Sequence, residues 1–244
     1  MPVMRIRLAT YNIHGCVGND GRFDVDRIGR VLRELDPDVL ALQEVEHHDV
    51  DGLDLLEYLA SHSGLTPIAG PTLFKRRRAY GNAVLTRLPI EAVRPVDLSL
   101  PGREPRGALD ITLGCGEISC RVIATHLGLQ PGERRTQIRA LLALLDRHES
   151  DVAVLLGDLN EWLLWGRPLR WLHRHFSPSP HLRTFPSRLP LFALDRIWVR
   201  PADCIRVIET HDTALARQAS DHLPLKADLD LPLVLRTPDQ ALCE

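Results

Sequence analysis

The feature that most limits what this chain can fold into is a strand-helix-strand unit written twice at nearly the same spacing. A strand from about Arg5 to Tyr11 closes on A-T-Y-N-I-H-G, and an amphipathic helix and a second apolar strand ending in Glu44 follow it. A-T-H-L-G at Ala124 is followed by a helix from about Glu133 to Arg147 and a strand ending in Asp158. Thr10 precedes Glu44 by 34 residues and Thr125 precedes Asp158 by 33, so the two units have the same build. Each has an apolar sheet face and an apolar helix stripe to bury. Two halves packed sheet on sheet, with helices outside, satisfy both and gather all four strand ends at one rim.

Those strand ends are polar. In V-A-V-L-L-G-D-L-N, residues 152–160, Val152 to Leu156 reads as a buried strand, and Gly157 opens the backbone at its C-terminal end. Asp158 and Asn160 lie two apart, so both side chains point the same way and offer a carboxylate and an amide to whatever lies above the sheet. That pair suits the gripping and deprotonation of water. It is also common in ordinary turns, so its weight comes from the other strands that end alike.

Between and after the units the pattern continues. Asp24 is an N-cap for a helix to about Leu35, with Val25, Ile28, Val31, Leu32 and Leu35 on one face. Val39 to Leu42 is a strand ending in Gln43-Glu44-Val45, and a helix from about Leu53 to Ser61 precedes short edge strands punctuated by Gly64, Pro67, Gly70 and Pro71. Tyr80 to Thr86 and Gly107 to Leu113 are strands, the second preceded by Glu104-Pro105-Arg106. Thr184-Phe185-Pro186 leads to a strand that opens Leu194-Asp195-Arg196-Ile197 and ends near Val199. A further strand covers about Cys204 to Glu209, and Ser220 to Leu225 leads into the last one.

Composition excludes several classes. At 244 residues the chain is long enough to bury a core as one domain, placed at 1–230 with an aperiodic tail over 231–244. Its 44% hydrophobic and 25% charged residues are those of a globular protein, and a net charge of -2 gives no global pull toward nucleic acid or anionic membrane. A polyanionic partner therefore needs a local patch. The five scattered cysteines contain no C-x-x-C pair, which predicts reduced thiols and a cytoplasmic setting. The N-terminus enters a strand pattern without a leader, and no apolar run approaches the ~18 residues of a transmembrane segment. No protein partner is predicted.

Seven motifs, T-Y-N-I-H-G, L-Q-E-V, Y-G-N-A-V-L-T, A-T-H-L-G, G-D-L-N, L-D-R-I and S-D-H-L-P, stand in the order found in the endonuclease/exonuclease/phosphatase superfamily. The chain resembles that superfamily from about residue 5 to 229, and within it the pancreatic-type deoxyribonucleases, abasic-site endonucleases and sphingomyelinase-like phosphodiesterases. The resemblance implies an α/β fold, a four-layer αββα sandwich of two mixed sheets flanked by helices. It also implies divalent-metal-dependent hydrolysis of phosphate esters by in-line attack of water. Fold alone does not fix the substrate.

The chemistry explains the residue types. A phosphodiester is anionic and repels hydroxide, so a hard cation, Mg2+ or Mn2+, on one or two carboxylates plus water lowers the barrier. Glu44 is the expected ligand, with Asn12 beside it and Asp221 assigned to the same metal set. By resemblance, Asp158 aligns or deprotonates the attacking water, and Asn160 holds it together with a phosphate oxygen. His222 faces the phosphate with Asp195 as its carboxylate partner, an arrangement that fixes the imidazole tautomer and favours imidazolium. His126 and Tyr80 resemble further phosphate and leaving-group contacts, Arg106 resembles the phosphate-binding arginine, and Asn82 and Trp162 complete the substrate side. His14, His47, His48 and His211 match no motif position and are expected to be surface or packing residues.

The substrate class stays open between nucleic acid, phospholipid headgroup and inositol phosphate, and a relative that binds phosphate ligands without turnover is the alternative of another kind. Lys75-Arg76-Arg77-Arg78 is a candidate polyanion grip or a solvated loop. Trp162, Trp165 and Trp171 either stack on bases, or lie on lipid with Arg167, Arg170 and Arg174 at the headgroups, or cover the core.

Overall fold

A computed structural model describes residues 3–46, 49–50, 52–75, 78–147 and 150–232. His47, His48, Arg76 and Arg77 and the tail from 233 lie outside the described residues. The elements, in chain order, are β1 (Val3–Asn12), α1 (Val25–Leu35), β2 (Val39–Glu46), β3 (Asp49–Val50), β4 (Leu53–Asp54), α2 (Leu55–Ser63), β5 (Thr66–Lys75) and β6 (Arg78–Thr86). They continue with β7 (Ile90–Asp97), β8 (Gly107–Cys115), β9 (Ile118–His126), α3 (Pro131–Leu145), β10 (Val152–Asp158), α4 (Arg167–Phe176), β11 (Asp195–Arg200), β12 (Ile205–Thr210), α5 (Ala214–Ala219) and β13 (Leu225–Pro232).

Two mixed sheets result, ordered β12-β13-β1-β2-β6-β5 and β11-β10-β9-β8-β7. Each contains one parallel pair, β1 with β2 and β9 with β10, and these are the two strand-helix-strand units closed through α1 and α3. Successive residues of each central strand enter different cores. Val154 and Leu156 pack between the sheets with Leu8, Val39 and Val84, while Ala153 and Leu155 pack under α3 and α4 with Ile138, Leu141 and Leu172. On the other side Ala9, Leu40 and Leu42 face Val31, Leu32 and Leu35 of α1 and Leu59 of α2. Burial on both faces is the reason β2 and β10 read as unbroken apolar runs, and the layers are the αββα sandwich.

Several local expectations change. β10 runs through Gly157 and Asp158, and Gly157 serves close packing: at φ +141° an added Cβ would stand 1.9 Å from the Thr125 carbonyl oxygen of β9. β5 is one long strand across Gly70 and Pro71, which its place at the sheet edge tolerates. β7 and α4 escape the sequence reading. β7 is a mostly exposed edge without alternation, and the Trp and Arg residues of α4 mask the spacing of Leu169, Leu172 and Phe176 that seats it on the core.

Candidate active site

The polar ends of β1, β2, β9 and β10 meet at one rim. β2 reaches it through a bulge: Leu42 pairs with Ala83 and Val45 with Gly81, so Gln43 and Glu44 together oppose Asn82. Glu44 takes φ 58° there, a backbone rare for residues with a Cβ. The bulge lets Leu42 and Val45 both enter the helix-side core and turns Glu44 toward the pocket. Asn12, the last residue of β1, sits between the sheets. Its amide donates to Glu44 Oε1 at 3.0 Å and to Asp158 Oδ2 at 3.1 Å, while its own oxygen accepts from the His14 N–H at 3.0 Å.

Beyond β10 the chain turns through Asn160, also left-handed at φ 51°, and the Asn160 N–H donates to Asp158 Oδ1 at 2.9 Å. The Asn160 amide is anchored on the Leu127 carbonyl at 3.0 Å, with the His126 ring alongside at 3.1 Å. Arg106 Nη1 lies 3.3 Å from His126 Nδ1, and His126 Nε2 lies 3.6 Å from Asp158 Oδ2. Burial pushes the His126 pKa down to about 4 against the pull of Asp158, with Arg106 and His222 acting in the same direction as burial, so this ring is neutral.

His222 is the opposite case. Its Nδ1 lies 2.8 Å from Asp195 Oδ2 and its Nε2 3.7 Å from Asp158 Oδ2. Burial works against its charge, yet the two carboxylates outweigh burial and hold its pKa up to about 10. Asp195 is fully buried at the start of β11 and also accepts from Thr184 Oγ1 at 2.6 Å. Arg196 donates instead to the Ala193 and Pro180 carbonyls, so it is not the partner of Asp195. Burial, reinforced by the Glu44 charge, raises the Tyr80 pKa and keeps the phenol protonated.

Glu44, Tyr80, Arg106, His126, Asp158, Asn160, Trp162 and His222 all line one pocket of about 560 Å³. Asn12 and Asp195 stand behind that wall. Asp221 is partly exposed beside His14, 3.9 Å from its Nδ1, and is not a lining residue. Asn82 is buried and donates to the Gly107 carbonyl at 2.9 Å, which ties β6 of one sheet to β8 of the other.

The model of the Endonuclease/Exonuclease/phosphatase family matches residues 9–222. The chain belongs to that family. It is 31% identical over 251 residues to the protein YbhP of Escherichia coli strain K12, across 92% of this chain and 96% of that one. Among solved structures it superposes on a family protein from Bacteroides thetaiotaomicron with TM-score 0.78 at 15% identity, covering 96% of this chain and 100% of that one. It superposes on an endonuclease/exonuclease/phosphatase from Beutenbergia cavernae with TM-score 0.73 at 23% identity, over 93% and 72% of the two chains. TDP2 from D. rerio, complexed with a single-strand DNA product, gives TM-score 0.68 at 15% identity over 92% and 98%.

Members of the family are generally hydrolases of phosphate esters, and its enzymes typically use divalent metals. The residues present here fit such an ion. Glu44 and Asp158 bring carboxylate oxygens to the pocket, cross-linked by the Asn12 amide, and no thiol stands among the lining residues. An all-oxygen set of this kind suits a hard cation. A second group, Asp158, Asp195 and His222, has ligand atoms within 4.8 Å of one another. There His222 Nδ1 is committed to Asp195, so this trio is a carboxylate-imidazole-carboxylate chain rather than a cage.

The pocket also contains residues that the sequence reading did not assign to it. Leu129, Phe185, Phe192 and Leu194 form an apolar wall of the pocket, and the Phe185 ring lies 4.8 Å from that of His222. Phe185 and Phe192 pair across an isolated bridge in a segment without alternation, which leaves no periodic signal. Of the tryptophans, Trp162 is half exposed over the Arg134 guanidinium, 5.3 Å away, and Trp165 is 82% exposed. Trp171 packs partly against the core, with Arg139 at 4.8 Å, and Trp198 is buried within it. His211 pairs with Glu34 at 2.9 Å, away from the pocket lining.

Proposed function

We propose that this chain is a divalent-metal-dependent phosphoric ester hydrolase that cleaves phosphodiesters by in-line attack of water. The observation that supports this reading is the convergence of Glu44, Asp158, Asn160, His126 and the Asp195–His222 pair on one pocket at the strand ends of both sheets. Glu44 would hold Mg2+ or Mn2+, with its carboxylate set by the Asn12 amide. A bound divalent ion would supply positive charge against the phosphate. Asp158 takes the proton of the attacking water, oriented for it by the Asn160 N–H. His222, held charged by Asp195, opposes the negative charge that builds on the phosphoryl oxygens, and Arg106 adds a second positive charge to the same wall. Tyr80, protonated beside Glu44, is placed to donate to the leaving oxygen.

The test is hydrolysis of bis-p-nitrophenyl phosphate, alongside the monoester, before and after chelation. Turnover is expected to vanish on chelation and to return with Mg2+ or Mn2+ more fully than with Zn2+. Full activity after exhaustive chelation would sink the metal assignment. Tight binding of phosphate with no hydrolysis of any ester would replace the enzyme with a phosphate-binding relative. Nucleic acid is the second substrate class to test, since the TDP2 structure, alike in fold, carries a single-strand DNA product.

A further inference from the structure

Residues 162–194 differ from the rest of the chain in charge. The segment contains five arginines and not one carboxylate or lysine, within a protein of net charge -2. Its exposed side chains are also apolar where they border the pocket. Trp162, Leu163, Leu164 and Trp165 form one exposed loop. Leu189, Leu191 and Phe192 form a second, with Leu189 67% exposed. Trp162 and Phe192 both line the pocket with Leu129, itself exposed, so the two loops flank a single mouth. Two residues past Trp165, α4 begins. Its buried face is Leu169, Leu172 and Phe176, and its outer arginines 167, 170 and 174 line a separate hollow of about 280 Å³ with Trp171. Among the described residues none of these three arginines makes an ion pair.

Several large exposed apolar side chains gathered at one pocket mouth mark a docking surface rather than scattered surface leucines, and the exposed arginines of α4 follow directly in the chain. Two polyanions match the charge, a nucleic acid and an anionic lipid surface. Base stacking uses aromatic faces, whereas here four of the seven exposed side chains on the two loops are leucines, which gain from burial in acyl chains and offer nothing to a base. No helix among the described residues is long and apolar enough to cross a membrane.

We propose that the two apolar loops and the arginines of α4 seat this protein on an anionic phospholipid surface, so that the pocket receives a phosphodiester headgroup. This rests on the phosphodiesterase reading of that pocket. The tryptophans and leucines enter the headgroup and acyl boundary, and Arg167, Arg170 and Arg174 pair with lipid phosphates. In the reaction the water oxygen bonds to phosphorus, one ester P–O bond breaks, and the leaving oxygen takes up a proton, which leaves a phosphomonoester.

The experiment has two arms on the full chain. In the first, with chelator present, the protein is sedimented with vesicles of phosphatidylcholine, with or without phosphatidylglycerol. Binding is expected only with phosphatidylglycerol, weakened about tenfold in Leu163→Ser/Trp165→Ala. It is expected to fall about a hundredfold in the Arg167→Gln/Arg170→Gln/Arg174→Gln variant. In the second arm, bis-p-nitrophenyl phosphate is hydrolysed with Mg2+, and both variants keep the wild-type rate and melting temperature. No vesicle binding by the wild type, or binding that neither variant reduces, overturns the proposal. So does tight binding of a single-stranded oligonucleotide that the same variants lose, without vesicle binding. Vesicle binding by a protein that hydrolyses no diester keeps the docking surface and overturns the hydrolase reading instead.

Discussion

Glu44 and Asn160 both hold a left-handed backbone at a strand end, and both line the pocket with Asp158. Such conformations cost about 1 to 3 kcal/mol each and persist where the surroundings over-determine them, as the β2 bulge and the Asp158–Asn160 turn do here. Asp158 gathers four neighbours: the Asn12 amide, the Asn160 N–H, and the two histidines His126 and His222. A carboxylate and an imidazolium that serve one transition state do not act additively. Asp158→Ala and His222→Ala are each expected to lower turnover about a thousandfold, and the double variant far less than a millionfold. Losses that multiply strictly, measured as kcat on the same diester, would assign the two residues to separate tasks.

At the level of elements, the site is held in place by contacts that join the sheets. Asn12 reaches from β1 to Asp158 of β10, and Asn82 reaches from β6 to the Gly107 carbonyl at the start of β8. The family resemblance put Asn82 on the substrate side, whereas its buried amide is taken up between strands. Asn82→Ala is therefore expected to cost about 1 kcal/mol, since Thr125 Oγ1 still satisfies the Gly107 oxygen at 3.1 Å. Melting temperature should fall by ~3 °C while KM for the diester stays put. A raised KM at unchanged melting temperature would return Asn82 to the substrate.

For the whole molecule, charge is arranged by face. Carboxylates converge on the pocket floor, arginines crowd residues 162–194, and the interior strands β1 and β13 of the six-stranded sheet are stitched by ion pairs. Arg7 of β1 lies opposite Asp228 of β13, Nε to Oδ1 2.7 Å, and this hydrogen bond lowers the Asp228 pKa despite some burial. A lowered folded-state pKa adds stability that is present above the unfolded value of about 3.9 and is lost as pH falls through the folded value. Asp228→Asn should thus melt below the wild type at neutral pH, and the gap should close in acid beneath pH ~4. A gap that stays constant down to pH ~2 would show that the loss is one of packing alone.

The repeated strand-helix-strand spacing was enough to predict the layers, because burial on both faces leaves an unbroken apolar run that local sequence cannot hide. The four central strands carry Asn12, Glu44, His126 and Asp158 at or near their ends, so three pocket-lining residues and the amide behind them were legible from where the apolar pattern stopped. Three things were decided only in the tertiary structure. The bulge that aims Glu44 depends on which residues of β6 oppose it, a register no single strand encodes. The apolar wall of Phe185 and Phe192 forms when an aperiodic segment folds back on His222. Whether Trp162 and Trp165 face water or the core depends on which side of α4 the remaining layers cover. A tryptophan beside an arginine reads alike in sequence for either outcome, and only the packing of Leu169, Leu172 and Phe176 against α3 and β10 left those rings outside.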